Sequence, residues 1–316
     1  MCADAAQNER RILVGRFLIK RIAMAALTLF IITTITFFIM FLVPGGPFLS
    51  EKISPHMEAI MMETYGFDKP LIEQYQTYIT KLLRGDMGIS FKRKGYTVQE
   101  IIGEKFPVSA RVGGWAILLS MCMGVPVGVL AAYKHNKTTD RVIMFICTLG
   151  IALPSFVIAT TLLYTFGMNL KWLPTIGLKT PQNYIMPVFA LSLSPTCYIT
   201  RLMRSSMLDV MGQDYLKTAR AKGLNEFVVL FKHAMRNSLM PVVTYLGPMV
   251  TAVLTGSFIV ERIFSIPGLG GYFINSINGR DYPMIMGTTI FLAALLIVAN
   301  LLVDIIYTII DPRIKY

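Results

Sequence analysis

The chain is written as long apolar runs separated by shorter polar connections. Ile22 to Val43 carries no charge and is long enough to cross a bilayer core. Further runs lie at Val108 to Ala132, Val142 to Phe166, Tyr184 to Leu202, Ser238 to Val260 and Met284 to Ile310. Six membrane-spanning helices are the reading. Pro154 breaks the third run, and Pro187 and Pro195 lie inside the fourth. Such residues are tolerated in membranes when neighbouring helices satisfy the freed backbone, and they recur in proteins that move. The first run competes with a signal peptide. It is too long for one, and Val43-Pro44-Gly45-Gly46-Pro47 is a poor cleavage site, so a retained first helix is expected.

Composition agrees. The chain is 54% apolar and 15% charged, which places it in the membrane class rather than among soluble or disordered chains. Its net charge of +12 is strongly basic, but Lys and Arg sit at the ends of apolar runs, where they act as topology signals rather than a nucleic-acid surface. The 1–21 tail has Arg10, Arg11, Arg16, Lys20 and Arg21. The 133–141 and 201–237 connections are basic too. They alternate with the more neutral connections 44–107, 167–183 and 261–283, which predicts cytoplasmic termini. The four cysteines form no close pair in sequence and the three histidines are far apart, so neither a disulfide framework nor a metal site is expected.

The 44–107 connection is the longest polar one. Asp68 and Pro70 start a helix there that Gly85 ends. Leu71, Tyr75, Tyr78, Ile79 and Leu82 share one face, suited to the membrane surface or to packing on its own subunit. A turn follows at Gly85-Asp86-Met87-Gly88-Ile89-Ser90.

The stretch Asp214 to Pro241 is the candidate functional element. Asp214 caps a short helix with body Tyr215 to Lys222, and Gly223 ends it. Ala219 and Ala221 give that helix a thin side. A second helix, about Asn225 to Arg236, sets Phe227, Leu230, Phe231 and Met235 at helical spacing. Two short helices with a small-residue face and a glycine corner suit docking into a partner's groove; an ordinary basic loop fits the residues equally well.

Other chemistry is sparse. The sequence has no phosphate-binding glycine loop, no His-Glu-X-X-His and no serine-protease set, so an enzyme reading has no residues to stand on. Asp304 is the one carboxylate well inside a run, and its place near the cytoplasmic end suits a hydrogen-bonding or snorkelling role. Arg111, Glu261 and Arg262 read as anchors at span edges, with Glu261 and Arg262 also candidates for the mouth of a pathway. Methionines at helical spacing read as packing filler. A stand-alone channel or secondary transporter would call for intramembrane charges or a repeated half, both weak here.

Several motifs together resemble one family. They are Gly66-Phe67-Asp68-Lys69-Pro70 and Gln74-Tyr75, the Gly85 to Ser90 turn, and Tyr215 to Leu224 with His233-Ala234-Met235-Arg236-Asn237-Ser238-Leu239-Met240-Pro241. Pro267-Gly268-Leu269-Gly270, Asp281-Tyr282-Pro283 and the closing Asp311-Pro312-Arg313 complete the set. In this order they resemble the permease subunits of binding-protein-dependent ABC importers, in particular the oligopeptide/dipeptide (and nickel) permeases. Lys217 departs from the pattern, standing where the general loop motif has Glu.

The resemblance implies an all-α membrane protein of about six transmembrane helices, in a type I ABC importer permease architecture with an extracytoplasmic region after the first span. The corresponding organisation is a cytoplasmic tail 1–21, first helix 22–43, extracytoplasmic region 44–107, permease core 108–310 with coupling loop 203–237, and cytoplasmic C-terminus 311–316. It implies no catalytic residue and no cofactor. Expected partners are a homologous second permease, two cytoplasmic ABC ATPase subunits, an extracytoplasmic substrate-binding protein, membrane lipid and a peptide substrate. The ATPase-coupling residues would be Asp214, Tyr215, Ala219, Arg220, Ala221, Lys222, Gly223 and Leu224.

Overall fold

The structure is a computed structural model and describes residues 2–42, 66, 69–93 and 95–310, with the side chains of 2–18, 255–256 and 304–310 excepted. His56, Asp68 and the closing Asp311-Pro312-Arg313 lie outside what it describes, as do the side chains of Arg10, Arg11, Arg16 and Asp304. Among the described residues the fold is helical, with one isolated antiparallel bridge between Ile89 and Thr97.

The helices are α1 (Cys2–Leu42), α2 (Leu71–Leu83), α3 (Val98–Tyr133), α4 (Thr138–Ala152) and α5 (Ser155–Leu162), the last running on as a π-helical turn, Leu163–Asn169. A short 3₁₀ turn, Pro181–Tyr184, leads into α6 (Ile185–Met211). Then come α7 (Asp214–Ala221) and α8 (Glu226–Val228), a π turn (Val229–Ala234), α9 (Met235–Ser238), α10 (Met240–Ile263), α11 (Leu269–Asn278) and α12 (Tyr282–Ile310).

Among the described residues five helices are long and apolar enough to cross a membrane, and a sixth span results if the α4–α5 pair is one crossing. That pair is bent by 98°. The cause is local. Leu153 (φ −82°, ψ 122°) and Pro154 (φ −61°, ψ 142°) are both extended, because proline disfavours helical backbone in the residue before it and offers no N–H of its own. The third apolar run is therefore two arms rather than a straight helix. Pro107, Pro126, Pro195 and Pro248 sit inside unbroken helices, and Pro187 falls in the first turn of α6, where no N–H is needed.

The chain forms two compact units. One gathers Met1–Glu104 with Tyr272–Leu301; the other gathers Lys105–Gly271 with Leu302–Arg313. In the first, α2 packs on α1. Phe37 stacks with Tyr78 at 5.7 Å and Phe38 with Tyr75 at 5.5 Å, and the Thr34 and Tyr75 hydroxyls are 2.7 Å apart. The α2 face is thus covered by its own chain, although Leu71 stays exposed. After Gly85 and Gly88 (φ 82° and 88°), the Ser90 hydroxyl donates to the fully buried Asp281 carboxylate at 2.5 Å.

In the second unit, α3 and α6 meet through small residues. A methyl at Gly128 would lie 2.7 Å from the Met203 Cβ and 2.8 Å from the Thr200 carbonyl. Ser120 donates to the Ser192 carbonyl at 3.1 Å, and Thr200 to the Gly124 carbonyl at 3.3 Å. Close backbone approach with hydroxyl donors is how helices associate where water gives no hydrophobic drive. Met186, Met203, Met207 and Met249 are buried packing, as their spacing predicts.

Candidate functional site

α6 runs nine residues past the predicted span end at Leu202, and only Gly212 and Gln213 separate it from α7. Gln213 (φ −74°, ψ 146°) is the N-cap. Asp214 is the first helical residue rather than the cap, and its carboxylate favours the positive end of the helix from there. Lys217 pairs with that same Asp214 at 2.8 Å. The residue that departs from the family pattern therefore has a local partner, in an exposed contact of little energetic weight.

Burial divides the small-residue face. Leu216 and Ala219 turn inward and join Met203, Met207, Val229 and Leu230 in one apolar cluster. Ala221 is exposed. The thin side expected from Ala219 and Ala221 together is thus corrected: a helix puts residues two apart on different faces, and Ala219 is spent on the chain's own core. The outward surface consists of Asp214, Tyr215, Lys217, Thr218, Ala221, Lys222, Gly223 and Leu224.

The corner is closed by hydrogen bonds. Gly223 has φ 76°, its N–H donates to the Arg220 carbonyl at 2.9 Å, and the Leu224 N–H donates to the Ala219 carbonyl at 3.3 Å. These two bonds are a Schellman ending, which places its left-handed residue at glycine. Asn225 caps the next turn, accepting the Phe227 N–H at 2.9 Å. Arg220 spans the corner and donates to Glu226 through Nε at 3.1 Å and Nη2 at 2.9 Å. This contact raises the arginine pKa and lowers that of the Glu226 carboxyl. Arg220 is thus committed within the chain, whereas Lys222 points to solvent.

The second helix is not regular. A π turn over Val229–Ala234 carries the chain from α8 to α9. Phe227 stacks on Phe231 at 4.4 Å and remains exposed, while Leu230 is buried. Asn237 donates to the Tyr215 hydroxyl at 2.9 Å, and Ser238 donates to the Met207 sulfur at 3.2 Å. The corner is tied to α6 along its inner side and presents a mixed basic and apolar outer side.

Residues 124–316, corner included, match the family described as "Binding-protein-dependent transport system inner membrane component", and residues 14–113 match the corresponding N-terminal family. The chain belongs to that family. It is a multi-pass membrane protein and a permease subunit of an ABC importer. It is 44% identical to the dipeptide transport system permease DppB of Bacillus subtilis, over 96% of this chain and 98% of that one. Identity to the oligopeptide transport system permease OppB of Haemophilus influenzae is 41%, over 95% and 99%. A chain of the MetNI methionine ABC transporter, solved in inward facing conformations, shares the fold with a TM-score of 0.57 at 15% identity, over 67% of this chain and 97% of that one.

Three buried charges escaped the sequence reading of this permease. Glu261 is not an edge anchor. It is fully buried, and its Oε2 accepts the Gly270 N–H at 2.9 Å, while the Ser109 hydroxyl accepts the Leu269 N–H at 2.8 Å. Together they hold the Pro267-Gly268-Leu269-Gly270 turn. Asp140 and Asp281 are likewise buried, paired with partners far away in sequence. Cys147 and Cys197, unpaired by spacing, are neighbouring reduced thiols on α4 and α6. Among the described residues no cluster of metal ligands is present.

Proposed function

We propose that this chain forms half of the translocation pathway of an importer for peptides, oligopeptides first and dipeptides next, with nickel or another small solute behind them. The observation that carries this reading is identity of 40–44% to dipeptide and oligopeptide permeases along nearly the whole chain. The other half is a homologous permease. Two cytoplasmic ATPase subunits hydrolyse ATP, and this chain performs no catalysis. An extracytoplasmic binding protein delivers the solute to the side carrying residues 44–107, and both termini are cytoplasmic.

The ATPase contact is the α7 corner, through Asp214, Tyr215, Ala221, Lys222, Gly223 and Leu224 on its outer side, with Ala219 and Arg220 holding it from within. When the ATPase pair closes on nucleotide, a helix seated in its groove is displaced. That shift reaches the spans because Leu216 and Ala219 share an apolar cluster with Met203 and Met207 of α6, and because Asn237 and Ser238 tie Tyr215 of the corner to Met207. The spans then exchange one packed arrangement for another, biased by nucleotide inside and the loaded binding protein outside.

Vesicles holding the full complex and ATP, offered labelled peptides of graded length against nickel, test the substrate. Uptake of nickel but of no peptide would refute the peptide assignment. Gly223→Asp tests the corner. Nothing lies within 4 Å of an added Cβ there, so within this chain the cost is backbone strain alone, about 1–2 kcal/mol. Insertion is retained and transport is lost because the new side chain meets the groove. Normal uptake by the inserted variant would count against the coupling role.

A further inference from the structure

The first arm of the bent span, α4, is held against α6 by an ion pair whose carboxylate is buried. Arg204 donates to Asp140 through Nε at 2.6 Å and Nη2 at 2.7 Å. The Asp140 side chain is 3% exposed and that of Arg204 22%. Asp140 also accepts the Asn136 N–H at 3.0 Å, and the His135 Nδ1 lies 3.0 Å from Arg204 Nη2. Farther along the same pair of helices, contact is apolar and close: a methyl at Gly150 would meet the Cys197 sulfur at 2.5 Å.

We propose that the Asp140–Arg204 pair is the joint through which displacement of the α7 corner reaches α4. The proposal rests on the reading of that corner as the ATPase contact. Arg204 lies on α6 between Met203 and Met207, which share one apolar cluster with Leu216 and Ala219 of the corner. The tie is completed by Asn237, which donates to the Tyr215 hydroxyl at 2.9 Å, and its neighbour Ser238, which donates to the Met207 sulfur at 3.2 Å. A movement of α7 is therefore a movement of the Arg204 segment. Apolar ridges allow one helix to slide past another by small steps. A two-pronged guanidinium–carboxylate pair with its carboxylate buried fixes register, because both bonds weaken together when either helix shifts. Asp140 is additionally held by the turn before α4 through Asn136, so the pull arrives at the end of the arm. Beyond Ala152 the chain turns by 98°, and a shift at α4 swings α5 rather than pushing it along its axis. Asp140 and Arg204 are positioning residues for transport, touching neither solute nor nucleotide.

The test uses the complete importer in liposomes, with Asp140→Asn and Arg204→Lys, and reads ATP hydrolysis and uptake of the labelled peptide that the wild-type complex takes up fastest. The expected result is normal assembly, hydrolysis near wild type, and peptide moved per ATP lowered about tenfold in Asp140→Asn, with Arg204→Lys between it and wild type. An unchanged ratio of peptide to ATP in the assembled complex overturns the joint. Should Asp140→Asn fail to assemble, Arg204→Lys decides alone by the same ratio. In the wild-type background, Ala221→Cys is cross-linked to the ATPase in parallel. No cross-link removes the premise and the proposal with it, whereas a cross-link with an unchanged ratio overturns the joint and leaves the corner reading standing.

Discussion

The Arg220 guanidinium bridges the Gly223 corner to reach Glu226, with two nitrogens 3.1 Å and 2.9 Å from the carboxylate. That hydrogen bonding makes Glu226 ionise more readily in the folded corner than in the unfolded chain, where the ordinary value is 4.5. The stabilisation is therefore complete above 4.5 and is lost as pH falls through the lower folded value. Both side chains are about a third exposed, at 34% and 37%, so solvent screening leaves about 0.5 kcal/mol. Glu226→Gln is expected to halve, roughly, the amide-exchange protection of Gly223 and Leu224 at neutral pH. At acid pH the wild type and the variant should converge. Equal protection at neutral pH would show that the Schellman bonds hold the corner without the ion pair.

Ala219 and Ala221 differ in burial on one short helix, and chemistry can read the difference. In inside-out vesicles of an otherwise cysteine-free protein, Ala221→Cys is expected to react with a membrane-impermeant maleimide at the rate of an exposed thiol. Ala219→Cys, buried in the apolar cluster that also holds Leu216, Met203 and Met207, is expected to react only once the corner opens. Adding the ATPase subunits should protect Ala221→Cys and leave Ala219→Cys as slow as before. Fast labelling at Ala219 would mean that the inner side of α7 is not buried.

How much of this was legible follows from what each feature needs. The spans were legible because crossing a bilayer demands a long uncharged run, and the corner because Gly223 and Asn225 are local signals. The end of α6 was not. Arg204 and Asp209 interrupt the hydropathy while Met203 and Met207 keep the buried stripe going, so a helix that continues past the apolar run looks like a loop. Ala219 and Ala221 are the same residue, and composition cannot say which one faces inward. The ion pairs were hidden for a different reason. Asp140 and Arg204 are 64 positions apart, and Ser90 and Asp281 are 191 apart; no pattern in a window of sequence joins them. Glu261 looked like an edge charge because its partners, Ser109 and the Gly270 N–H, are supplied by other parts of the unit.

Gly128 gives a stability prediction for the α3–α6 contact. Gly128→Ala is expected to destabilise by about 1–3 kcal/mol, since the new methyl overlaps the Met203 Cβ and the Thr200 carbonyl, neither of which can swing aside like the end of a side chain. Gly114→Ala on the same helix, with nothing within 4 Å of its added methyl, is the control and should be neutral or slightly stabilising through helix propensity. Detergent unfolding of the two variants side by side separates them. A Gly128→Ala protein as stable as Gly114→Ala would mean that α3 and α6 do not approach as closely as their glycines permit.

Glu261 supports the strongest claim about a single side chain. Its carboxylate is buried under the 266–270 turn and accepts the Gly270 N–H, and there is no room for a side chain at Gly268 between Glu261 and Ser109. Glu261→Ala removes the acceptor and leaves the Gly270 N–H without its partner in a buried site, a loss of about 1–3 kcal/mol. Glu261→Gln keeps an acceptor oxygen at nearly the same place and should retain most of the stability. Gly268→Ala should resemble Glu261→Ala, because a methyl there displaces the same carboxylate. Limited proteolysis at the 264–271 turn, together with unfolding midpoints, checks the order: Glu261→Ala and Gly268→Ala cut readily, Glu261→Gln and wild type resistant. If Glu261→Gln were instead as labile as Glu261→Ala, the negative charge itself would be what holds the turn, and hydrogen-bond acceptance would be insufficient.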